Sequence, residues 1–237
     1  MGHHYETQVD VAGGFLVAQS FREEFREAWF DPEYWGDRAE PVTKGGRGSA
    51  WFISCETGAL VLRHFCRGGI PGHFIRRDYV YAGADAVRSF AEFRLLDTLF
   101  REGFPVPEPI AAGFSRRRLL FYHASLIVRR IPDARPLSDF TSHSCVATWR
   151  AAGLCVRGFH ERGVFHADLN CMNILVADRV YLIDFDRGYI VPAGRHDGWK
   201  AANISRLKRS VKKILVNLSP ELREKLWQAF LDGYDHG

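Results

Sequence analysis

The fold is decided by two neighbouring stretches in the second half of the chain. Residues 164–175 read VFHADLNCMNIL, and residues 180–186 read VYLIDFD. Apolar runs flank Asp178-Arg179, so these stretches predict a tight hairpin with a two-residue turn. A polar loop then leads into the first strand of the hairpin, and the carboxylate of Asp184 directly follows the second strand.

The polar residues of this frame match the signatures H-R-D-L-x-x-x-N and D-F-G of protein kinases, with departures at Ala167 and Asp186. In that chemistry a loop carboxylate accepts the proton of an attacking hydroxyl, while an amide and a second carboxylate hold divalent cations on the phosphates. Asp168 has the position of the base, and Asn173 and Asp184 have those of the metal ligands. The alternative is that Asp168 caps a turn and Asp184 ends a strand by chance.

Composition limits the classes of function. The 237 residues carry 32 Lys and Arg against 28 Asp and Glu, a formal net charge of +4, which is too weak to indicate nucleic acid by itself. The aromatic residues recur at helix-core or strand-core spacing, which also argues against a nucleic-acid interface. We expect no secretory signal and no membrane span, and the five cysteines are typical of free thiols in a reducing compartment.

The order of predicted elements changes near the middle of the chain. The first predicted element is a helix that begins with the capping box Ser20–Glu23 and runs to about residue 30. Strands are predicted at 51–53, 59–65 and 126–128, and further helices at about 88–102, 146–162, 204–216 and 220–231. A strand-rich half with one main helix is followed by a helical half around a small hairpin. We therefore expect an α+β fold with an N-lobe over residues 1–130 and a C-lobe over residues 131–237.

A glycine cluster precedes the first strands. Gly45, Gly46 and Gly48 could present backbone N–H groups to phosphates, although a plain hairpin turn would have the same composition. No Gly-Lys-Ser/Thr follows, so the cluster is not a Walker A loop. Lys44 beside it is a candidate phosphate ligand.

Arg63 stands in a predicted strand where a kinase presents its phosphate-binding lysine, and arginine keeps the charge while adding a forked geometry. Glu92, on the helix that follows, is its candidate partner. The alternatives are that Arg63 is a solvated strand residue and that Glu92 pairs with Arg88 four residues earlier. The sequence leaves open whether Arg63 or Lys44 is the main phosphate ligand.

Several segments resemble the bacterial kinases of 3-deoxy-D-manno-octulosonic acid (Kdo), which act in lipopolysaccharide core assembly. The similar segments are 62–69, 88–93, 103–112, 166–170, 184–186 and 203–210. The resemblance covers most of the chain from about residue 44 to 210 and includes the Asp-Phe-Asp variant and the strand arginine. It implies a bilobal protein-kinase-like fold, ATP and Mg²⁺, and transfer of a phosphoryl group to the 4-hydroxyl of Kdo on a lipid A precursor. It also implies that Asp168 is the catalytic residue.

A lipid-linked substrate requires an enzyme at the membrane surface, so we expect peripheral association with the cytoplasmic side of the inner membrane. One basic cluster contains the candidate substrate residues Arg67, Arg76 and Arg77. The other lies on the predicted helix 204–216, whose apolar face either meets lipid or packs into the C-lobe.

Other functions fit parts of the same pattern. A lipopolysaccharide heptose kinase or an antibiotic phosphotransferase would share the fold. A non-catalytic nucleotide-binding module is suggested by Arg63 and Asp186, whose role is open, but the intact Asp168, Asn173 and Asp184 argue against it. An ordinary protein kinase is disfavoured because no Ala-Pro-Glu segment follows Asp184. The sequence gives no indication of the oligomeric state.

Overall fold

The computed structural model of the chain consists of two compact units. The described residues are 4–42, 49–66, 78–117, 120–192, 194 and 197–236. The first unit comprises Met1–Asp97 and Glu108–Arg130, and the second comprises Thr98–Pro107 and Ile131–Gly237. Within the described part of the chain, no helix is both long and apolar enough to cross a membrane.

One antiparallel sheet dominates the first unit. Its described strands are β1 (Tyr5–Val9), β2 (Gly13–Ala18), β3 (Ala39–Pro41), β4 (Ala50–Cys55), β5 (Gly58–His64), β6 (Tyr79–Val80), β7 (Pro109–Arg117) and β8 (Phe121–Arg129). The order across the sheet is β1-β2-β7-β8-β5-β4-β3, and β6 pairs with β8. Every one of these pairings is antiparallel, so the sheet is built from hairpins and longer return connections.

The predicted strands of this unit are confirmed. β4 and β5 form a hairpin in which Cys55 pairs with Gly58, and Gly58 adopts φ +113°, a conformation that favours glycine. Leu60 and Leu62 alternate along β5 and are fully buried. Residues 126–128 lie inside β8, as their apolar character predicted.

The main helix of the first half is also confirmed. The short helix α1 (Pro32–Trp35) is followed by α2 (Arg88–Arg101), whose Phe90 and Phe93 are fully buried. The chain leaves α2 through Gly103 at φ +81°, as expected for a glycine that ends a helix.

The helix predicted from Ser20 to about residue 30 is wrong. The segment contains two short 3₁₀ helices, Gln19–Phe21 and Glu27–Phe30, and Ser20 makes no capping hydrogen bond. The guanidinium of Arg26 donates to the backbone carbonyls of Glu23 and Phe25, at 2.6 and 2.8 Å, and so occupies acceptors that a continuing helix would use. The aromatic residues of the predicted face are nonetheless buried, because the sheet packs against them.

Helices dominate the second unit. Its described elements are β9 (Arg135–Pro136), α3 (Val146–Glu161), β10 (Val164–Phe165), β11 (Ile174–Val176), β12 (Val180–Leu182), β13 (Tyr189–Ile190), α4 (Gly198–Ile214) and α5 (Pro220–His236). All three predicted helices are present. Gly163 after α3 has φ +83°, and Ser219 caps α5 by accepting from the N–H of Leu222 at 3.2 Å.

The predicted hairpin is present, but its two-residue turn is wrong. Val176 pairs with Val180, so three residues, 177–179, connect β11 and β12. The N–H of Ala177 donates to the carbonyl of Arg179 at 2.9 Å, and Asp178 accepts a hydrogen bond from the hydroxyl of Tyr181 at 3.0 Å. The apolar runs identified the strands, while the side chain of Asp178 stabilises the wider turn.

Two glycines allow α3 and α5 to pack at backbone contact. A Cβ on Gly153 would lie 2.0 Å from the carbonyl oxygen of Phe230, and one on Gly233 would lie 2.0 Å from that of Arg150. We expect Gly153→Ala to lower the free energy of unfolding by about 1–3 kcal/mol, because the helices must separate. A Cβ on Gly158 in the same helix would have no atom within 4 Å. Gly158→Ala is therefore expected to raise the free energy of unfolding by about 0.5–1 kcal/mol, because alanine has the higher helix propensity. Urea unfolding of both variants measures the two changes, and equal effects would contradict the close-packing argument.

Candidate active site

His166 anchors the loop that leads into β11. It is 2% exposed, its Nε2 lies 3.0 Å from the carbonyl oxygen of Ile183, and the N–H of Asp168 donates to its Nδ1 at 3.2 Å. These contacts require a neutral imidazole with the proton on Nε2. Burial lowers the pKa of His166, which keeps this form at neutral pH. The imidazole therefore braces the loop.

Two asparagines hold the backbone around Asp168. The side-chain amides of Asn170 and Asn173 both donate to the carbonyl of Asp168, at 2.9 and 3.0 Å. The Oδ1 of Asn170 accepts from the N–H groups of Met172 and Asn173, at 2.8 and 3.2 Å, which closes a tight turn. Because the N–H and carbonyl of Asp168 are both bound, its carboxylate has a defined direction, and its side chain remains half exposed.

Arg206 of α4 contacts that carboxylate. Its Nε donates to Oδ1 of Asp168 at 3.1 Å, and one terminal nitrogen donates to the same oxygen. The side chain of Arg206 is 46% exposed, so the ion pair lies at the surface of the second unit. In the sequence, Arg206 is one of the basic residues of the predicted helix 204–216, and no local pattern connects it with Asp168.

The same face of α4 supports the rest of the loop. The Oδ1 of buried Asn203 accepts from the N–H of His166 at 3.2 Å, and the hydroxyl of Ser210 accepts from the N–H of Cys171 at 3.1 Å. Asn203, Arg206 and Ser210 follow the helical repeat and surround buried Leu207. Three polar residues on an otherwise apolar helix face were the available signal for this role.

Asp184 leaves β12 in a restricted conformation. Its φ is +62°, and the preceding Ile183 donates its N–H to the carbonyl of Asn173 at 3.0 Å. Phe185 is fully buried, with its ring 4.8 Å from that of His166 and 5.8 Å from that of Phe159. The buried Phe185 and the hydrogen bond at Ile183 therefore fix the backbone on which Asp184 stands beside Asn173.

These contacts bear on the predicted metal ligands. The Nδ2 of Asn173 is bound to the loop, and among the described residues its Oδ1 accepts no hydrogen bond. That oxygen is an acceptor of the kind that Mg²⁺ binds. Among the described residues, no group of three or more His, Cys, Asp or Glu side chains that could hold a metal occurs.

The first unit contains the predicted pair of Arg63 and Glu92. A terminal nitrogen of Arg63 lies 2.5 Å from Oε2 of Glu92, whose side chain is 1% exposed, while that of Arg63 is 24% exposed. The guanidinium also lies 4.6 Å from the ring centroid of Phe65. Glu92 of α2 therefore pairs with Arg63 of β5 and holds its guanidinium in place.

Several predicted site residues lie outside the described residues. These are Lys44, Gly45, Gly46 and Gly48 of the glycine cluster, and Arg67, Arg76 and Arg77 of the first basic cluster.

A second histidine of this unit is buried behind the loop. The Nδ1 of His160 lies 2.7 Å from the hydroxyl of Tyr234, and its ring packs against Trp199. Burial lowers its pKa from 6.5 to about 4. The folded state therefore binds fewer protons than the unfolded state between these values, and stability falls as the pH drops from about 6.5 to about 4.

We expect this histidine to contribute on the order of 2–3 kcal/mol to the acid sensitivity of folding. His160→Asn should lower stability at pH 7, since ring packing is lost, but should also flatten the decrease between pH 6.5 and pH 4. Urea unfolding at a series of pH values measures this, with His143→Asn as the control for removing an exposed histidine. If the free energy of unfolding of His160→Asn fell as steeply between pH 6.5 and pH 4 as that of the wild type, His160 would not be the source of the acid sensitivity.

Comparisons with known proteins agree with this geometry. The family model "Lipopolysaccharide kinase (Kdo/WaaP) family" matches residues 32–234. A 3-deoxy-D-manno-octulosonic acid kinase of Xanthomonas oryzae pv. oryzae (strain PXO99A) is 42% identical over 221 residues, 90% of this chain and 87% of the relative. The kinase of the same name from Stenotrophomonas maltophilia (strain K279a) is 42% identical over 224 residues, with the same coverage of each chain.

Solved structures show the same fold. WaaP in complex with acyl carrier protein matches with a TM-score of 0.56 and 15% identity, covering 93% of this chain and 88% of its own. An aminoglycoside-3'-phosphotransferase of type VIII matches with a TM-score of 0.56 and 16% identity, covering 92% and 91%. The predicted α+β, protein-kinase-like fold is confirmed.

Proposed function

The chain belongs to the lipopolysaccharide kinase (Kdo/WaaP) family, and from this premise we propose that it transfers a phosphoryl group from ATP to Kdo. The acceptor is the 4-hydroxyl of Kdo on a lipid A precursor, in assembly of the lipopolysaccharide inner core. The observation that carries the proposal is the loop around Asp168, held in place in a chain 42% identical to kinases that bear this substrate's name.

Asp168 acts on the acceptor. Its backbone is fixed by His166, Asn170 and Asn173, and its half-exposed carboxylate can accept the hydrogen bond of an incoming hydroxyl. As the hydroxyl oxygen attacks the γ-phosphorus of ATP, the bond from that phosphorus to the bridging oxygen breaks, ADP leaves, and the hydroxyl proton passes to this carboxylate. The rigid loop contributes by holding the base in one direction, since a displaced base loses its alignment with the reacting oxygen.

Asn173 and Asp184 are the residues that would hold Mg²⁺. The side-chain Oδ1 of Asn173 is oriented by the hydrogen bond that its Nδ2 donates to Asp168. Asp184 directly follows Ile183, whose N–H donates to the backbone carbonyl of Asn173. When bound, the cation supplies charge neutralisation on the phosphates of ATP. In the first unit, Arg63, held by Glu92, is the proposed ligand of the α- and β-phosphates. The glycine cluster Gly45, Gly46 and Gly48 is proposed to cover them. The two units are proposed to be the N-lobe and the C-lobe, with residues 98–107, which were expected in the N-lobe, belonging to the second unit.

The reaction is tested directly by incubating the protein with ATP, Mg²⁺ and a Kdo-bearing lipid A precursor. Mass spectrometry is expected to show one added phosphate on the precursor, and NMR of the product should place it on the 4-oxygen of Kdo. Omitting Mg²⁺ should abolish the product. Consumption of ATP without a phosphorylated Kdo product would overturn the proposed substrate.

We further propose peripheral association with the inner face of the cytoplasmic membrane through the end of α4. Leu207 and Val211 of its apolar face are buried in the second unit, so the helix does not lie flat on lipid with this face. Ile214 and Val216, however, are 39% and 67% exposed. The exposed cations Arg209, Lys212 and Lys213 lie in the last two turns of α4, just before them in the sequence. Exposed apolar residues among cations suit reversible binding to an anionic surface.

The membrane proposal predicts a salt-sensitive interaction. Each lysine or arginine near an anionic surface contributes roughly 1 kcal/mol. Changing Lys208, Arg209, Lys212 and Lys213 together to Gln is therefore expected to weaken binding to anionic vesicles strongly and to leave ATP binding unchanged. Sedimentation with phosphatidylglycerol vesicles at low and high salt measures it. The control removes four charges elsewhere, at Arg22, Arg101, Arg117 and Lys225. Equal losses in the two variants would exclude a specific role for α4.

A further inference from the structure

The catalytic loop contains no cation of its own. Residues 169–172, between the base and the first proposed metal ligand, are Leu, Asn, Cys and Met. The positive charge beside Asp168 comes instead from Arg206, 38 residues later in the chain. The acceptor hydroxyl must approach the carboxylate of Asp168, so the guanidinium beside that carboxylate is also close to the bound acceptor.

The geometry of the ion pair leaves room for a substrate. Both N–H groups that Arg206 contributes reach the single oxygen Oδ1 of Asp168, so Oδ2 remains for the acceptor hydroxyl. Among the described residues, the other N–H groups of this guanidinium donate to no acceptor. A guanidinium has five N–H donors, and its fork matches a carboxylate. Arg206 thus presents unused donors directly beside the position of the reacting hydroxyl.

The helix that carries Arg206 is itself fixed to the loop. Asn203 and Ser210, on the same face of α4, bind the backbone N–H groups of His166 and Cys171. Leu207, the next residue, is fully buried. Of these four residues of α4, only Arg206 has an exposed side chain. Its position relative to Asp168 is therefore set by the fold before a substrate binds.

We propose that Arg206 binds the carboxylate of the Kdo acceptor and so selects an acidic sugar. This inference rests on the proposed function, in which the acceptor is an octulosonic acid phosphorylated on its 4-hydroxyl. In that sugar the carboxyl group is carbon 1, a short distance along the carbon chain from carbon 4. One guanidinium can therefore contact both the catalytic carboxylate and the substrate carboxylate while the hydroxyl faces Oδ2. Neutral sugars lack this contact and leave the guanidinium donors unused.

The test combines a change in the enzyme with a change in the acceptor. The acceptors are a soluble Kdo glycoside and its carbon-1 amide, which keeps the shape but removes the charge. The enzymes are wild type, Arg206→Met and Arg206→Lys, with Arg101→Met as the control that removes an exposed arginine from another helix. KM and kcat for each acceptor, and KM for ATP, are measured at saturating Mg²⁺.

We expect the amide to lower kcat/KM of the wild type and of Arg101→Met by roughly 10- to 100-fold, the loss of a charge-assisted contact. With the Kdo glycoside, kcat/KM of Arg206→Met should be lower than that of the wild type by a similar factor, mainly because KM for the acceptor rises. Replacing the glycoside by the amide should lower kcat/KM of this variant little further. KM for ATP should not change, and Arg206→Lys should recover part of the loss because it keeps the charge.

Other results overturn the inference in distinguishable ways. If the wild type phosphorylates acid and amide equally well, Arg206 does not bind the carboxylate. If the amide lowers kcat/KM of Arg206→Met by the same factor as that of the wild type, the Arg206 guanidinium and the substrate carboxylate act independently. Arg206 then serves the transferred phosphoryl group or the loop instead. If the wild type phosphorylates neither acceptor while it phosphorylates the lipid-linked precursor, recognition depends on the lipid, and this inference fails although the proposed function stands. If no Kdo acceptor of any kind is phosphorylated, the proposed function fails and the inference falls with it.

Discussion

Asp168→Asn is expected to lower turnover by about 10²–10⁴-fold while ATP binding stays nearly unchanged, since this is the usual contribution of a positioned general base. The loop should survive the change because it is held through the backbone N–H and carbonyl of Asp168, by His166, Asn170 and Asn173. The asparagine has the same shape and can still accept from Arg206. Single-turnover kinetics with a Kdo acceptor, together with nucleotide titration, measure the two quantities.

Two further variants sharpen this experiment. Asp178→Asn makes the same substitution in the hairpin turn, where the carboxylate binds Tyr181, and should leave turnover near the wild-type value. Asp184→Asn should act through Mg²⁺, so it is expected to weaken nucleotide binding when the metal is present and to have little effect without it. Near-wild-type turnover of Asp168→Asn would refute its role as the base, and an Asp184 variant with unchanged metal dependence would refute its role as a ligand.

Arg63→Met is expected to change both stability and ATP kinetics. Because the carboxylate of Glu92 is 1% exposed, removal of its partner should lower the free energy of unfolding by on the order of 3 kcal/mol. If Arg63 also contacts the α- and β-phosphates, KM for ATP should rise by about 10- to 100-fold and kcat should fall. Arg63→Lys should be partly active, since it keeps the charge and loses the fork.

The double variant Arg63→Met with Glu92→Gln separates the two effects. Neutralising the buried carboxylate should recover part of the stability, because the buried charge that had lost Arg63 is then removed as well. It should not recover the affinity for ATP, because the cation is still missing. Urea unfolding and steady-state kinetics on the same samples give both numbers. Unchanged ATP kinetics in Arg63→Met, with a severe loss in Lys44→Met, would assign the phosphates to Lys44 instead.

The sequence alone determined the features that depend on neighbouring residues. The apolar runs of β4, β5, β11 and β12 predicted their strands, and Gly103 and Gly163 predicted two helix ends, because strand alternation and positive φ are local properties. The candidate catalytic residues were also found from spacing. The prediction of a helix after Ser20 failed because Arg26 takes backbone carbonyls that the helix needs, a choice that the periodicity of Phe21, Phe25 and Trp29 does not reveal.

Only the tertiary structure decided what the polar face of α4 meets. The helical repeat places Asn203, Arg206 and Ser210 on one side, but their partners His166, Asp168 and Cys171 lie 37 to 39 residues earlier. Which segments meet over such separations depends on how α3, α4 and α5 pack, and Gly153 and Gly233 help set that packing by allowing backbone contact. A periodic pattern gives the direction of a helix face, whereas the group opposite that face is fixed only when the whole unit folds. The basic residue next to Asp168 therefore became visible only in three dimensions.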